Sequence, residues 1–220
     1  MTHAVLFSGG GDVTDPWHPF AATSRRIAAL LDTEGVPTEI VDTVADLAAV
    51  GDADAGHETR LLVLNAGSGG EATPHDAALL AVIEAHLAAG RSLLALHAAA
   101  MLLPGSRAWE DALGGAWVPG VSGHPPLGDA RVELEGHALV AGFDEVRVVD
   151  ERYTGLRVGG DSAVYASHEE AGERHPLAWA RHAGTARVIF DALGHDERSY
   201  DSVSRCELLR AEVRWLLAPA

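Results

Sequence analysis

Three histidines each follow a short apolar segment that has the composition of a buried strand. They are His18 in the loop after residues 4–7, His97 directly after residues 92–96, and His195 shortly after residues 186–190. An imidazole titrates near neutral pH, so it can both accept and donate a proton. A fourth histidine, His124, precedes two prolines in a loop. If these imidazoles share one cleft, they could act as a general acid and a general base.

A carboxylate and a phenol could complete such a site. Glu151 and Tyr153 are two residues apart in the stretch Val-Val-Asp-Glu-Arg-Tyr. Side chains alternate along an extended segment, so Glu151 and Tyr153 are expected on one side. Asp150 and Arg152 are expected on the other. The first pair could bind hydroxyl groups of a ligand or orient an imidazole. The alternative for Glu151 is a surface ion pair with a neighbouring arginine.

Each of these aromatic side chains also has a purely structural interpretation. His97 and His195 could be buried histidines whose ring nitrogens bind backbone groups. His18 could cap the helix that follows it, and His124 could be a rigid loop residue. The tryptophans could provide a stacking surface or belong to the core; they are Trp17, Trp109, Trp117 and Trp179. We favour a functional role for His97 and His195 because both stand at strand ends.

A divalent metal is an alternative use of the same side chains. Catalytic zinc takes three protein ligands and leaves one position open, and the histidines with Glu151 could supply them. However, none of these histidines has the local spacing of a known zinc motif, such as two histidines four residues apart on a helix. We therefore predict a site without a metal or other cofactor, and metal-dependent hydrolysis remains an alternative.

Two glycine-rich segments, residues 9–11 and 67–70, invite comparison with phosphate-binding loops. Neither contains the dinucleotide-binding fingerprint, and the chain has no lysine to serve as that of a P-loop. We expect these glycines to allow tight turns and a close approach of the backbone to a neutral ligand.

The charge balance limits the partners of the protein. The formal net charge is −16, and all sixteen basic residues are arginine. We expect no binding to nucleic acid or to an anionic membrane, because either needs a basic face. The single cysteine, Cys206, cannot form an internal disulfide, and the amino terminus has no basic lead or signal-peptide core. No stretch reaches the roughly 18 apolar residues of a membrane span. These features predict a soluble, cytosolic protein.

Strand and helix patterns alternate over the first hundred residues. The predicted strands are residues 4–7, 38–41, 61–64 and 92–96, and the predicted helices are residues 21–34, 44–50 and 73–87. Alternation with short connections predicts an α/β fold with a parallel sheet covered by helices on both faces. In such sheets, ligands collect outside the carboxyl ends of the strands. The distant histidines are therefore expected to converge.

The pattern changes from about residue 105 to 170. Glycine and proline are frequent there, and residues 131–134 and 145–149 alternate polar with apolar side chains, which predicts a partly antiparallel insertion. Parallel-sheet character returns at residues 186–190, and an amphipathic helix ends the chain. Because no linker or repeat divides the sequence, we expect a single domain over residues 1–220.

Two segments resemble the active-site frame of class I glutamine amidotransferases. Residues 90–99 are similar to the strand and sharp turn that carry the nucleophilic cysteine of those enzymes, but His97 occupies the turn here. Residues 188–197 resemble the strand that bears the histidine and glutamate of the amidotransferase triad. Cys206 belongs to the start of the last predicted helix and cannot replace the missing thiol. Glutamine hydrolysis through a thioester is therefore not expected.

A closer resemblance, to the ThuA-like (trehalose utilisation) family, covers nearly the whole chain. The motifs that carry it are, in order, the early strand and glycines with His18, Leu96-His97-Ala98-Ala99, Trp109 with Leu113-Gly114-Gly115-Ala116-Trp117, Gly123-His124-Pro125, Gly136-His137, Asp150-Glu151-Arg152-Tyr153, Pro176-Leu177-Ala178-Trp179, and Leu193-Gly194-His195 with Tyr200. Each motif is short, but their order and spacing are specific. The chain departs from the family pattern at His137-Ala138, where His-Pro is common, and in its amino-terminal loop.

The resemblance implies a flavodoxin-like, three-layer α/β/α sandwich of the class I glutamine amidotransferase-like kind. It also implies a carbohydrate-utilisation enzyme that acts on a disaccharide such as trehalose, or on its 3-keto derivative, by isomerisation, elimination or hydrolysis. We assign catalysis to His97, His195 and Glu151, and substrate binding to His18, His124, Tyr153 and Trp17. The alternative is a non-catalytic sugar-binding or assembly subunit on the same frame. A homodimer is common for folds of this kind.

Overall fold

A computed structural model describes residues 3–52 and 59–219. Its strands are β1 (His3–Ser8), β2 (Thr38–Val41), β3 (Thr59–Asn65), β4 (Ser92–Leu96), β5 (Gly115–Ala116), β6 (Gly128–Leu134), β7 (Glu145–Asp150), β8 (Arg157–Val158), β9 (Ala163–Glu170), β10 (Glu173–Ala183) and β11 (Ala186–Asp191). Its α-helices are α1 (Phe20–Thr33), α2 (Val44–Asp52), α3 (Asp76–Ala88), α4 (Arg107–Leu113) and α5 (Val203–Leu217). Short 3-10 turns cover His97–Met101, Ala138–Val140 and Glu197–Asp201.

Nine strands form one mixed sheet in the order β2-β1-β3-β4-β11-β10-β9-β6-β7, and β5 pairs with β8 separately. The five strands from β2 to β11 are parallel. The strands from β10 to β7 are antiparallel to their neighbours. The central strands β3 and β4 are buried along nearly their whole length, because helices cover both faces of the sheet. The predicted α/β class, with a parallel part and an antiparallel part, is confirmed.

The helices form the two outer layers. On one face α1 packs against α5, and on the other α3 packs against α2 and α4. Helix α1 buries Ile27, Leu30 and Leu31, the residues whose spacing predicted it. Gly35 follows α1 with φ of 74°, a left-handed conformation that glycine adopts without steric penalty, and it ends the helix as predicted. The result is a three-layer α/β/α sandwich.

The antiparallel region extends further along the chain than predicted. Strand β10 lies beyond residue 170 and still runs antiparallel, between β9 and β11. Its pattern is hard to recognise in the sequence because Pro176 interrupts the ladder, and the pairing with β9 changes register just after it. Helix α4 was also not expected in this region. The hydroxyl of Ser106 caps its first turn by accepting the backbone N–H of Trp109.

Helix α5 closes the fold against β4, β7 and β11. Cys206 lies in its first turns, as predicted, and is half-buried with a free thiol. Within residues 3–52 and 59–219, no helix has both the length and the hydrophobicity that crossing a membrane requires.

Candidate functional site

The carboxyl ends of the parallel strands border a cavity of about 680 Å³. Its lining residues come from seven separate parts of the chain, and they are Pro16, Trp17, His18, Gly69, Met101, Trp117, His124, Glu151, Tyr153 and His195. Four of the predicted elements, β1, β3, β4 and β11, end toward these loops. The position of the cavity is therefore the one that the topology of an open α/β sheet favours for a ligand.

His97 is positioned by the end of β4. Its φ is 45°, in the left-handed region that a non-glycine residue seldom adopts, and a 3-10 turn of small residues follows. The geometry is similar to the sharp strand-to-helix turn that presents the nucleophile in α/β-hydrolases. Nδ1 of His97 lies 2.6 Å from the carbonyl oxygen of Ala192. Because a carbonyl only accepts, Nδ1–H donates to it. Nε2 is therefore directed into the histidine cluster, which consists of His18, His97 and His195.

His18 is held by the carboxylate of Asp15. Both oxygens of that carboxylate lie 2.8 Å from Nδ1 of His18, and Oδ1 also accepts the backbone N–H groups of Trp17 and His18. Such bonds from an aspartate to the backbone two and three residues later are typical of a turn at Asp-Pro. Nε2 of His18 then lies 3.1 Å from Nε2 of His97. The N-cap position of α1 is Pro19, without a side-chain cap, so the alternative role of His18 as a helix cap is wrong.

Glu151 and His195 are held by one buried carboxylate, that of Asp150. Its Oδ1 accepts the backbone N–H of Glu151 at 2.9 Å and that of His195 at 3.1 Å. Its Oδ2 accepts the Gly194 N–H at 2.8 Å and the Ser199 hydroxyl at 2.6 Å. Asp150 is fully buried and engages all four donors at once. It therefore fixes the backbone of two site residues relative to each other.

Glu151 lies among the imidazoles. Its Oε2 is 3.4 Å from Nδ1 of His195 and 3.5 Å from Nε2 of His97, and its Oε1 is 3.5 Å from Nδ1 of His124. These are ion-pair distances rather than short hydrogen bonds, and Nδ1 of His195 is buried without a hydrogen-bond partner among the described residues. The alternative that Glu151 forms a surface ion pair with an arginine is wrong, since the ionisable side chains within 3.5 Å of its carboxylate are histidines.

Tyr153 completes the wall of the cavity beside His97. Its hydroxyl lies 3.1 Å from Nε2 of His97, and its side chain is buried. Glu151 and Tyr153 thus face the same cavity, as their alternation predicts, whereas Arg152 pairs with Glu170 at 3.3 Å.

The proximity of these groups changes their pKa values. Burial raises the pKa of Glu151, but the imidazoles of His195 and His97 outweigh burial and hold it well below its ordinary value. Burial lowers the pKa of His195, yet Glu151 raises it more, so the net shift is upward. Burial lowers the pKa of His18 by more than Asp15 raises it. Burial raises the pKa of Tyr153 well above its ordinary range. The site therefore combines an ionised carboxylate with a phenol that keeps its proton.

Four side chains of the cluster could also hold a metal ion. They are His18, His97, Glu151 and His195, and each offers one ligand atom within 4.8 Å of the other three. The rings of the three histidines lie 4.8 to 5.4 Å apart between centroids. The structure thus brings together three histidines that lie up to 177 residues apart in the sequence.

Most of the candidate residues line the cavity, with one exception and one addition. His97 is 2% exposed and does not line the cavity, but its Nε2 contacts His18 and Tyr153, which do. Trp17 is 64% exposed at the rim, and Trp117 lies on the wall, where it contacts Tyr153 edge to face at 4.9 Å. Trp109 and Trp179 belong to the core. Trp117 was one of the four tryptophans considered as a stacking surface, and no local signal in the sequence distinguished it.

Two carboxylates of the site, Asp15 and Asp150, were not expected. Asp15 carried a local signal, the Asp-Pro turn three residues before His18. Asp150 carried none, because three of its hydrogen-bond partners lie 44 to 49 residues further along the chain. Glu197, which follows the amidotransferase pattern, is exposed in a 3-10 turn, and the carboxylate beside His195 is Glu151.

Comparisons with known proteins agree with this architecture. The family model described as trehalose utilisation, ThuA, matches residues 7–216. A ThuA-like protein from Parabacteroides merdae has a similar structure, with a TM-score of 0.76 at 14% identity over 100% of this chain and 91% of that one. A β-galactosidase from Rahnella sp. R3 gives a TM-score of 0.66 at 14% identity over 99% of this chain and 31% of that one. A glutamine amidotransferase from Thermotoga maritima gives a TM-score of 0.60 at 10% identity over 100% of this chain and 99% of that one.

A search of curated proteins finds no match to this chain. At identities this low, the structural likenesses show a common fold, that of the class I glutamine amidotransferases. The family match is of a different kind, because it aligns the sequence itself over nearly its full length. On that ground the chain belongs to the ThuA family, the family of trehalose utilisation.

Proposed function

We propose that this protein is a carbohydrate-utilisation enzyme that acts on a disaccharide such as trehalose, as its 3-keto derivative, by proton transfer beside the ketone. The observation that carries the proposal is the position of Glu151 and His195, 3.4 Å apart on the wall of one cavity. Family membership supports the substrate class.

The cavity has the properties that a sugar needs. Its volume of about 680 Å³ lies within the roughly 300–1,000 Å³ typical of small-ligand sites. Trp17 and Trp117 offer apolar ring faces to the carbon skeleton of a sugar, and polar groups of His124, Glu151 and His195 lie beside them. An aromatic surface next to hydrogen-bonding groups matches the amphipathic character of a pyranose ring.

A ketone at carbon 3 makes the hydrogen at carbon 2 acidic. The carboxylate of Glu151 takes that proton, the electron pair of the C–H bond forms a carbon–carbon double bond, and the carbonyl oxygen becomes an enolate. In elimination, the enolate reforms the ketone and the glycosidic oxygen leaves carbon 1 with its bonding pair. His195 gives that oxygen a proton. In isomerisation, the proton of the carbon-2 hydroxyl moves to the enolate oxygen on carbon 3 and the proton held by Glu151 is returned to carbon 3, so the ketone moves to carbon 2. Both courses need an acid and a base within reach of adjacent carbons.

The test is to incubate purified protein with 3-keto-trehalose, and separately with trehalose, and to follow products by NMR. We expect turnover of the keto sugar, and we expect His97→Ala, His195→Ala and Glu151→Gln each to lower it by about 10²-fold or more. His182, exposed on β10, supplies the matched control, since His182→Ala should keep the wild-type rate.

Circular dichroism and thermal unfolding establish that each variant is folded. Full activity in both His195→Ala and Glu151→Gln would show that the assignment is wrong. Binding of keto sugars without any turnover would instead support the non-catalytic sugar-binding subunit and contradict an enzyme.

A further inference from the structure

Two imidazoles of the cluster face each other through nitrogens that are both acceptors. The Nδ1–H of His18 donates a hydrogen bond to Asp15, and the Nδ1–H of His97 donates one to the carbonyl of Ala192, because neither partner can donate. In the neutral form of each ring the remaining nitrogen, Nε2, carries a lone pair. These two Nε2 atoms lie 3.1 Å apart. Two lone pairs at this distance repel unless a positive charge lies between them.

The hydroxyl of Tyr153 does not resolve this conflict. It lies 3.1 Å from Nε2 of His97 and can donate its one proton there. Nε2 of His18 would still face a ring nitrogen with no proton to give. The cluster therefore calls for a cation at the point where the histidines meet.

Two further ligand atoms surround the same point. Nδ1 of His195 is buried without a hydrogen-bond partner among the described residues, and a carboxylate oxygen of Glu151 lies 3.4 Å from it. The same oxygen of Glu151 is 3.5 Å from Nε2 of His97. The set thus consists of three imidazole nitrogens and one carboxylate oxygen, all within 4.8 Å of one another.

These separations suit a transition metal. Ligands about 2.1 Å from a tetrahedral zinc ion lie roughly 3.4 Å from one another. The three ligand separations that lead from His18 through His97 and Glu151 to His195 are 3.1, 3.5 and 3.4 Å. A cation could enter the cluster with small side-chain adjustments.

The surroundings have the second layer of contacts that metal sites need. Metal-bound histidines usually donate their other ring N–H to a carboxylate or a backbone carbonyl, as His18 does to Asp15 and His97 to Ala192. Asp150 fixes the backbone of the other two ligands, Glu151 and His195. On the open side, the cavity would give a substrate oxygen access to the ion.

We propose that His18, His97, His195 and Glu151 bind one divalent transition-metal ion of the zinc type. Imidazole nitrogens favour zinc, cobalt, nickel or iron over magnesium and calcium, which prefer ligand sets made entirely of oxygen. This replaces the sequence-based expectation of a metal-free site. That expectation rested on the lack of a local zinc motif, but here the four ligands come from four different loops.

The inference deepens the proposed function, on which it rests for the identity of the substrate, and it changes the roles of Glu151 and His195 from base and acid to ligands of the ion. An ion in this position would polarise the ketone oxygen of a keto sugar and stabilise the enolate. With Glu151 engaged by the ion, His124 in the cavity lining could take a proton at Nε2, because its Nδ1–H donates to the carbonyl of Pro125 at 3.1 Å.

The experiment measures metal binding without sugar, on protein without an added histidine tag. After dialysis against a chelator, the chain is titrated with Zn²⁺ by calorimetry, and bound metal is counted by mass spectrometry. We expect one tightly bound ion per chain and a raised melting temperature on loading. His195→Ala and Glu151→Gln should weaken binding at least tenfold, and His182→Ala should leave it unchanged. Loading with Co²⁺ should give an absorption spectrum typical of nitrogen and oxygen ligands. The His195→Ala and Glu151→Gln variants should each change this spectrum.

The outcomes for the metal and for the proposed function are separable. Failure of the folded wild-type protein to bind Zn²⁺, Co²⁺, Ni²⁺ or Fe²⁺ would overturn the metal site and indicate that a shared proton relieves the contact of His18 with His97. Binding that His195→Ala and Glu151→Gln leave unaffected would overturn it as well. Turnover of 3-keto-trehalose by metal-free protein would support the proposed function alone. A bound ion that depends on these ligands, without turnover of any keto sugar, would support the metal site and contradict the function.

Discussion

Asp150 fixes the backbone of His195, 45 residues away, by accepting its N–H at 3.1 Å. The same carboxylate accepts the N–H of Glu151 and the hydroxyl of Ser199. A buried carboxylate that engages four donors cannot be moved or replaced without leaving donors unpaired. The relative position of Glu151 and His195 is therefore decided by a residue that does not itself line the cavity.

Asp150→Asn keeps the shape of the side chain but places an NH₂ group against N–H donors. We expect the free energy of unfolding to fall by about 1–3 kcal/mol. We also expect slower turnover of keto sugar, because Glu151 and His195 are no longer held in the same relative position. Urea denaturation and kinetics measure the two effects. Ser199→Ala removes only one of the four donors and serves as the control, with a smaller effect on both. Wild-type kcat in Asp150→Asn would contradict a positioning role. A loss of stability with unchanged kcat and KM would indicate a structural role only.

Tyr153→Phe removes the hydroxyl next to His97 and keeps the buried ring. Because this hydroxyl is a proton donor within 3.1 Å of Nε2 of His97, we expect turnover to fall by roughly 10²-fold while the fold is retained. Tyr165→Phe is the matched control, since Tyr165 is equally buried but donates to Glu212, outside the cavity. Loss of the Tyr165 hydroxyl should lower the free energy of unfolding and leave the turnover of keto sugar unchanged. Equal rates in the two variants would contradict a role for Tyr153 in the reaction.

Arg205→Met tests the buried charges beneath β11. Arg205 is fully buried and pairs with Asp191 at 2.9 Å. Burial and the nearby Asp191 raise the pKa of Glu212 well above its ordinary value, and the Arg205 guanidinium pairs with Asp191. Removing the cation leaves a buried carboxylate unpaired, and we expect a loss of about 3–5 kcal/mol in urea denaturation. Arg214→Met breaks an exposed pair with Glu34 and should change stability by about 1 kcal/mol or less. Similar losses of stability in Arg205→Met and Arg214→Met would contradict a buried ion pair between Arg205 and Asp191.

His86 makes the stability of the fold depend on pH. It is buried at the end of α3, where Nε2–H donates to the Ser92 carbonyl at 2.8 Å, and burial lowers its pKa from 6.5 to about 4, with a smaller contribution from the charge of Arg91. Above pH 6.5 neither the folded nor the unfolded chain binds this proton. Between about pH 6.5 and 4 only the unfolded chain binds it, so the folded state loses up to ~3 kcal/mol as the pH falls.

His86→Gln keeps a donor for Ser92 but does not titrate. Urea denaturation at pH 7, 5.5 and 4.5 should therefore show a smaller loss of stability in the variant than in the wild type. His182→Gln, an exposed histidine on β10, should leave the pH dependence unchanged. Parallel curves for His86→Gln and the wild type would exclude this source of acid sensitivity.

The strands and helices of the parallel half could be predicted because their signals are local. A central strand such as β4 is buried on both faces, so it is a continuous apolar run, and glycine marks the end of α1 by its left-handed conformation. The order of strands then implied that His18, His97 and His195 approach one another, since parallel strands end at a common edge.

The sequence alone therefore determined the α/β class, the edge that carries the site and most of the side chains on it. Tertiary structure decided what those side chains can do together. The opposed Nε2 atoms of His18 and His97, the anchoring by Asp150 and the choice of Trp117 over Trp109 all depend on atoms brought together from distant parts of the chain. Hydrogen bonds and metal coordination depend on distances of a fraction of an ångström, whereas hydrophobic periodicity reports only which face of an element is buried.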